Sequence, residues 1–112
     1  MANLNSLKCV PCSEGSSPMT HNEAERLITD IPGWELKKDP KPEIVRKFIF
    51  TDFSEALAFV NKVGEIAERE NHHPDILIIY KRVTLTLFTH EVGGLSMNDF
   101  VLAAKINQLT EK

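Results

Sequence analysis

The chain has 112 residues, of which 42% are hydrophobic and 26% charged, and its net charge is −3 at pH 7. This length and composition predict one globular domain, and the negative charge argues against a nucleic-acid-binding face. The longest apolar run, Ile76 to Tyr80, is too short to span a membrane, and the N-terminus lacks the apolar core of a signal peptide. We therefore expect a cytoplasmic protein that binds neither nucleic acid nor membrane.

Residues 1–19 have the composition of a flexible leader, and residues 20–112 that of a single folded domain. The leader contains the pair Cys9 and Cys12, separated by Val-Pro. Two thiols cannot complete a tetrahedral zinc site, and a redox Cys-x-x-Cys pair normally opens a helix after a strand. We expect a mobile pair without a specific role, with weak metal binding or redox chemistry as the alternatives.

The first part of the domain predicts a helix and a hairpin. Thr20 and Glu23 form a capping box, and Pro32-Gly33 ends the helix that follows. Residues 34–50 then predict two strands around a turn at residues 39–42, whose sequence is Asp-Pro-Lys-Pro.

A longer amphipathic helix follows. Asp52 and Glu55 form a second capping pattern, and the helix should end near Glu70. Its apolar residues recur at helical spacing, which predicts that they form one buried stripe. The stripe comprises Phe53, Ala56, Leu57, Val60, Val63 and Ala67.

Residues 75–90 predict a second hairpin with its turn at Lys81-Arg82. That register pairs Tyr80 with Val83 and places His90 directly opposite His73. One face of the hairpin then carries only apolar residues: Ile76, Ile78, Tyr80, Val83, Leu85 and Leu87. The opposite face carries Leu77, Ile79, Thr84, Thr86 and Phe88.

Gly93-Gly94 interrupts the chain, and a third helix follows to the C-terminal end of the domain. Ser96 and Asp99 form the capping pattern of this helix. The predicted element order is therefore α-β-β-α-β-β-α. Because the strands occur as hairpins, we expect an α+β fold in which three helices cover one face of a four-stranded antiparallel sheet.

Three of the four histidines are predicted to meet at the open end of the second hairpin. Pro74 disfavours a helical conformation at His73, so His72 marks the end of the helix and the two rings diverge. Glu68, one helical turn before His72, is near enough to fix its tautomer. Together with His90, this arrangement is typical of general acid and base catalysis near neutral pH.

The histidines and their neighbours also allow interpretations other than catalysis. A single histidine at a helix end is more typical of a cap or a solvent-exposed side chain, which is how we interpret His21. Three converging histidines also fit a zinc site, which requires all three rings to point at one ion about 2 Å away. On local grounds Asp99 is a capping residue, and Trp34 is more typical of a core than of a ligand platform.

The spacing of these residues resembles the pterin-4a-carbinolamine dehydratase family, also called 4a-hydroxytetrahydrobiopterin dehydratases. The matching residues are Glu68, His72-His73-Pro74, Tyr80, His90 and Asp99. Thr-His-Glu-Val-Gly-Gly-Leu-Ser at residues 89–96 and Ile-Pro-Gly-Trp at residues 31–34 are further matching blocks. The resemblance covers residues 18–111.

The resemblance implies dehydration of 4a-hydroxytetrahydrobiopterin to quinonoid dihydropterin, in tetrahydrobiopterin recycling, without a metal or other cofactor. It implies that His72, His73 and His90 are catalytic. We assign acid and base work to His72 and His90, and substrate positioning mainly to His73. The residues expected to bind or support the substrate are Glu68, Asp99, Pro74 and Trp34.

The resemblance also implies a homodimer or homotetramer. Two alternatives to the dehydratase are a non-catalytic protein-binding or dimerisation module on the same fold and a role in molybdopterin metabolism. Some animal members of the family bind a transcription factor, and no basic patch in this sequence favours that role.

Overall fold

The computed structural model describes residues 4–9, 18–38 and 40–110. The helices are α1 (His21–Leu27), α2 (Phe53–Glu70) and α3 (Met97–Gln108). The strands are β1 (Glu35–Lys37), β2 (Glu43–Ile49), β3 (Asp75–Ile79) and β4 (Arg82–Leu87). They form one antiparallel sheet in the order β1-β2-β4-β3, so β1 and β3 are its edges. The predicted fold class and element order are confirmed. Cys12 of the predicted leader and Asp39 of the predicted turn lie outside the described residues.

The core lies on one face of the sheet. The strand residues Ile44, Phe48, Val83, Leu85 and Leu87 are buried together with side chains from all three helices. Every second residue of β4 is buried, as expected when only one face of a strand contacts the core. Among the described residues, no helix is long and apolar enough to cross a membrane.

The first helix begins as its sequence predicts. The Thr20 hydroxyl accepts from the Glu23 backbone, and the Thr20 backbone and hydroxyl both donate to the Glu23 carboxylate. These hydrogen bonds hold the pKa of Glu23 below its usual range. The α-helix is shorter than the apolar pattern suggests, because residues Ile28–Asp30 continue as a 3-10 turn that places Ile31 in the core.

The bounds of α2 are confirmed, but part of its predicted buried stripe is wrong. Phe53 and Leu57 are 47% and 41% exposed. The buried residues of the helix are Ala56, Phe59, Val63, Ile66 and Ala67. Apolar residues occur on two neighbouring flanks of α2, and the position of the sheet decides which flank is covered.

The predicted register of the second hairpin is also wrong. The turn is formed by Tyr80 and Lys81, so Ile79 pairs with Arg82, and Asp75 with Thr86. Tyr80 has a φ of 53°, and a positive φ at the first central residue is what a tight hairpin turn requires. Because side chains alternate with a period of two, this two-residue shift leaves the core-facing residues of β4 unchanged. The regular ladder ends at Asp75 and Leu87, so it does not pair His90 with His73.

Residues 4–9 and 18–19 of the leader contact the domain. Leu4 is 4% exposed and belongs to the core, and the 3-10 turn Leu4–Ser6 packs against α3. The Cys9 backbone N–H donates to Glu70 Oε1 over 2.9 Å. The Met19 N–H donates to the Leu95 carbonyl over 2.7 Å. The two described parts of the leader are thus held near the segments that carry the histidines.

Candidate active site

The exit from α2 determines where the first two histidines lie. Asn71 adopts the left-handed conformation, with φ 55° and ψ 41°, and its N–H caps the carbonyls of Ala67 and Glu68. The His72 N–H also donates to the Ala67 carbonyl. Asparagine tolerates this conformation, so the junction after the helix is Asn71, whereas we inferred His72 from the position of Pro74. We missed Asn71 as the junction, although an asparagine after a helix is a known stop signal.

His72 is directed into the protein towards α3. Its Nε2 lies 2.6 Å from Asp99 Oδ1, and the two side chains are 12% and 0% exposed. An ionised carboxylate can only accept hydrogen bonds, so Nε2 carries the proton at this contact. In the neutral ring, Nδ1 then holds the lone pair that can take up a proton.

Asp99 is held from two further directions. Its Oδ2 accepts from the Ser96 backbone N–H over 3.0 Å and from the Thr89 hydroxyl over 2.9 Å. The Thr89 and Ser96 hydroxyl oxygens are 2.6 Å apart, and Thr89 is 1% exposed. Asp99 therefore acts both as the capping residue predicted from the sequence and as the partner of His72. Thr89 was not among our candidate residues, because its hydroxyl reaches Asp99 only after tertiary folding.

His73 is directed outwards. Its Nε2 lies 2.5 Å from Glu68 Oε2, and the side chains are 54% and 79% exposed. We had paired Glu68 with His72, which is wrong. The left-handed residue Asn71 turns the chain, so that His72 meets α3 and the next ring meets the side of α2. The two adjacent histidines thus have different carboxylate partners in different surroundings.

His90 opens a 3-10 turn, His90–Val92, and its side chain is exposed. The turn is closed by hydrogen bonds between Thr89 and Gly94, and Gly93 ends it with a φ of 70°. His90 follows Thr89, whose hydroxyl binds the same carboxylate as His72. The meeting of all three rings in one pocket stays a prediction.

Pro74 and Trp34 differ in their distance from this region. Pro74 is half-buried and joins His73 to β3. Trp34 is 5% exposed, and its Nε1 donates to Asn107 Oδ1 over 2.8 Å. Asn107 and Asp99 lie at opposite ends of α3. These contacts place Trp34 in the core, and the substrate-supporting role implied by the resemblance stays a prediction.

The described residues contain no group of three His, Cys, Asp or Glu side chains arranged to hold a metal ion. Cys9, the cysteine within the described range, lies with its Sγ 3.5 Å from the Asn98 carbonyl.

Comparison with known proteins gives a consistent result. The family model described as pterin 4 alpha carbinolamine dehydratase matches residues 17–109. A protein from Rubrobacter xylanophilus named "Putative pterin-4-alpha-carbinolamine dehydratase" is 47% identical over 109 residues, covering 97% of this chain and 100% of that protein. One of the same name from Chlorobium luteolum is 44% identical over 113 residues, covering 100% of this chain and 99% of that protein.

Solved structures show the same relationship. A transcriptional coactivator/pterin dehydratase from Brucella melitensis is 34% identical with a TM-score of 0.79, covering 85% of this chain and 100% of that one. A pterin dehydratase-like RuBisCO assembly factor of the alpha-carboxysome shares the fold, with 21% identity, a TM-score of 0.60, and coverage of 71% and 92%. The family match extends over both histidine segments and most of the chain, and this chain belongs to the pterin 4 alpha carbinolamine dehydratase family.

Proposed function

We propose that this protein catalyses the dehydration of 4a-hydroxytetrahydrobiopterin to quinonoid dihydropterin in the cytoplasm, as part of tetrahydrobiopterin recycling. The observation that carries the proposal is the His72–Asp99 pair, in which a buried carboxylate occupies Nε2 of the ring. A histidine oriented in this way can exchange protons through its other nitrogen near neutral pH. Family membership supplies the substrate class.

The reaction requires two proton transfers and no redox step. A proton is delivered to the hydroxyl on C4a, the C–O bond breaks, and water leaves. The neighbouring ring nitrogen loses its proton as the C=N bond forms, so no net proton is consumed. One imidazolium and one neutral imidazole therefore suffice, and each positioned transfer contributes roughly 10²–10⁴ in rate.

We assign these two transfers to His72 and His90 and substrate positioning to His73. Asp99 orients His72 from a fully buried position, which supports a defined protonation geometry. His90 is exposed but lies on a turn that Thr89 anchors to the same carboxylate. His73 and Glu68 lie at the surface, where they can bind polar groups of a pterin.

The proposal includes assembly with further copies of the chain. Ile49, Leu77 and Ile79 are between 54% and 71% exposed, and they project from the face of the sheet opposite the core. Strand β3 is an edge, and an apolar edge strand is a surface on which chains pair. A second copy that pairs along β3 would cover the edge and give a homodimer, and a further contact through the apolar side chains of the sheet face would give a homotetramer.

The test is an assay with chemically generated 4a-hydroxytetrahydropterin, measuring water loss above the spontaneous rate. The native chain should accelerate the reaction, and a His72→Ala, His90→Ala double variant should lose a factor of about 10² or more. His21→Ala is the matched control, because His21 is an exposed histidine on α1 paired with Glu25. It should retain the native rate.

A folded native chain that does not accelerate dehydration would overturn the proposal. That result would favour the alternative of a non-catalytic binding module on this fold. A double variant as active as the native chain would show instead that the dehydration proceeds without these two rings.

A further inference from the structure

A chain of hydrogen bonds joins the two segments that carry His72 and His90. Asp99 is 0% exposed, with Oδ1 on His72 Nε2 and Oδ2 on the Thr89 hydroxyl and the Ser96 N–H. The Thr89 and Ser96 hydroxyl oxygens lie 2.6 Å apart. A buried carboxylate with donors on both oxygens is held in position from both sides.

The direction of each hydrogen bond follows from the available protons. Thr89 has one hydroxyl proton, and the neighbouring Asp99 oxygen can only accept it. The short contact between the two hydroxyls therefore requires Ser96 to donate to Thr89. The series of hydrogen bonds therefore runs from the Ser96 hydroxyl through the Thr89 hydroxyl to Asp99 Oδ2, and His72 donates to Asp99 Oδ1 from the other side.

Thr89 also determines the start of the turn that carries His90. Its backbone N–H donates to the Gly94 carbonyl over 2.6 Å, and its carbonyl accepts from the Val92 N–H over 3.2 Å. The residue is 1% exposed, so its side chain has little freedom to leave Asp99. The same residue thus bonds to the carboxylate that orients His72 and to the backbone that presents His90.

We infer that Thr89 is a positioning residue that, through Asp99, keeps His72 in the tautomer with the proton on Nε2 and fixes His90 relative to it. Thr89 acts through its neighbours and does not itself exchange protons with the substrate. Its catalytic consequence rests on the proposed dehydratase function, whereas its effect on the His72 ring does not.

The test compares Thr89→Val, which replaces the hydroxyl with a methyl group of similar size, with Thr89→Ser, which keeps the hydroxyl. Thr86→Val is the matched control, because it makes the same change within β4, on the sheet face opposite the core. Nitrogen-15 NMR of the histidine rings reports the tautomer of His72, and water exchange reports how firmly its Nε2 proton is held.

In Thr89→Val, we expect the Nε2 proton to exchange about tenfold faster and the two tautomers to mix, because the Asp99 carboxylate is no longer held on Oδ2 by the hydroxyl and can rotate away from Nε2. The kcat should fall about tenfold with KM changed less than about twofold, which indicates loss of geometry without loss of substrate contacts. Thr89→Ser should restore both values, and Thr86→Val should match the native chain.

A Thr89→Val variant with lower thermal stability but a native His72 tautomer and kcat would overturn the inference, because Thr89 would then be only structural. If that variant does not fold, Thr89→Ala serves in its place, since it also removes the hydroxyl that donates to Asp99. An unchanged tautomer in Thr89→Ala would likewise overturn it. Because the NMR result does not depend on turnover, it can succeed or fail separately from the proposed dehydration.

Discussion

Each of the two adjacent histidines pairs with a carboxylate, but the two pairs contribute differently to the stability of the fold. His72–Asp99 is almost fully buried, whereas His73–Glu68 is mostly exposed. Exposed ion pairs contribute about 0–1 kcal/mol, because water and salt screen them. Removing the acceptor of a buried donor leaves that donor unsatisfied, which costs about 1–3 kcal/mol. We therefore expect Asp99 to matter for stability as well as for catalysis, and Glu68 mainly for the substrate.

The same chemical change at both pairs tests this difference. Asp99→Asn should lower the free energy of unfolding by about 1–3 kcal/mol, because an amide cannot accept on both sides as the carboxylate does. Glu68→Gln should change it by less than about 0.5 kcal/mol. Chemical denaturation measures both values. Equal effects in the two variants would contradict the assignment of Asp99 as the buried anchor.

Some secondary-structure elements are determined by residues close together in the sequence, and others by contacts between distant residues. The caps of α1 and α2 use residues three positions apart, and both form as predicted. The segment between α1 and β1 instead depends on a distant contact. Gly33 has a φ of 91°, and a Cβ there would lie 2.6 Å from the Arg46 side chain. That guanidinium is in turn held by Asn107 Oδ1 and the Pro32 carbonyl.

Two glycine substitutions should therefore have opposite effects. Gly33→Ala should destabilise the protein by about 1–3 kcal/mol, because alanine is strained at positive φ and displaces Arg46. Gly64→Ala, within α2, has open space around its new methyl group and should stabilise by about 0.5–1 kcal/mol. Thermal melting of both variants measures the difference. A stabilising Gly33→Ala would show that the Arg46 contact can relax freely.

At the scale of the whole molecule, the described residues leave apolar side chains exposed on two surfaces. The sheet face opposite the core exposes Ile49, Leu77 and Ile79, and the uncovered flank of α2 exposes Phe53 and Leu57. Exposed apolar side chains of this kind are typical of contacts between chains, which mostly have two-fold symmetry.

Ile79→Lys tests the assembly that we propose. The charge lies on edge strand β3 and touches no histidine, so the variant should form smaller particles and melt at a lower temperature than the native chain. Light scattering and thermal denaturation measure both. Asn22→Lys adds the same charge on the exposed surface of α1 and should leave the particle mass unchanged. A native chain that is monomeric at high micromolar concentration would contradict the proposal.

Patterns among residues only a few positions apart were sufficient to predict the element order, the helix caps and the end of α2 near Glu70. The alternation of β4 also correctly identified Val83, Leu85 and Leu87 as core residues. Alternation does not determine register, because a shift by two residues presents the same faces. The turn at Tyr80-Lys81, and with it the loss of pairing between His73 and His90, was therefore decided by the folded sheet.

The candidate site was decided in the same way. The three histidines, Glu68 and Asp99 were recognisable from residue type and spacing, but their partners were not. Glu68 and Asp99 were both available to His72, and only the left-handed turn at Asn71 and the packing of α3 against α2 select Asp99. Thr89 joins the site through a hydroxyl contact across ten residues of sequence, which no local pattern encodes. Sequence determined which groups are present, and tertiary structure decided which atoms meet, because hydrogen bonds depend on positions that distant elements set together.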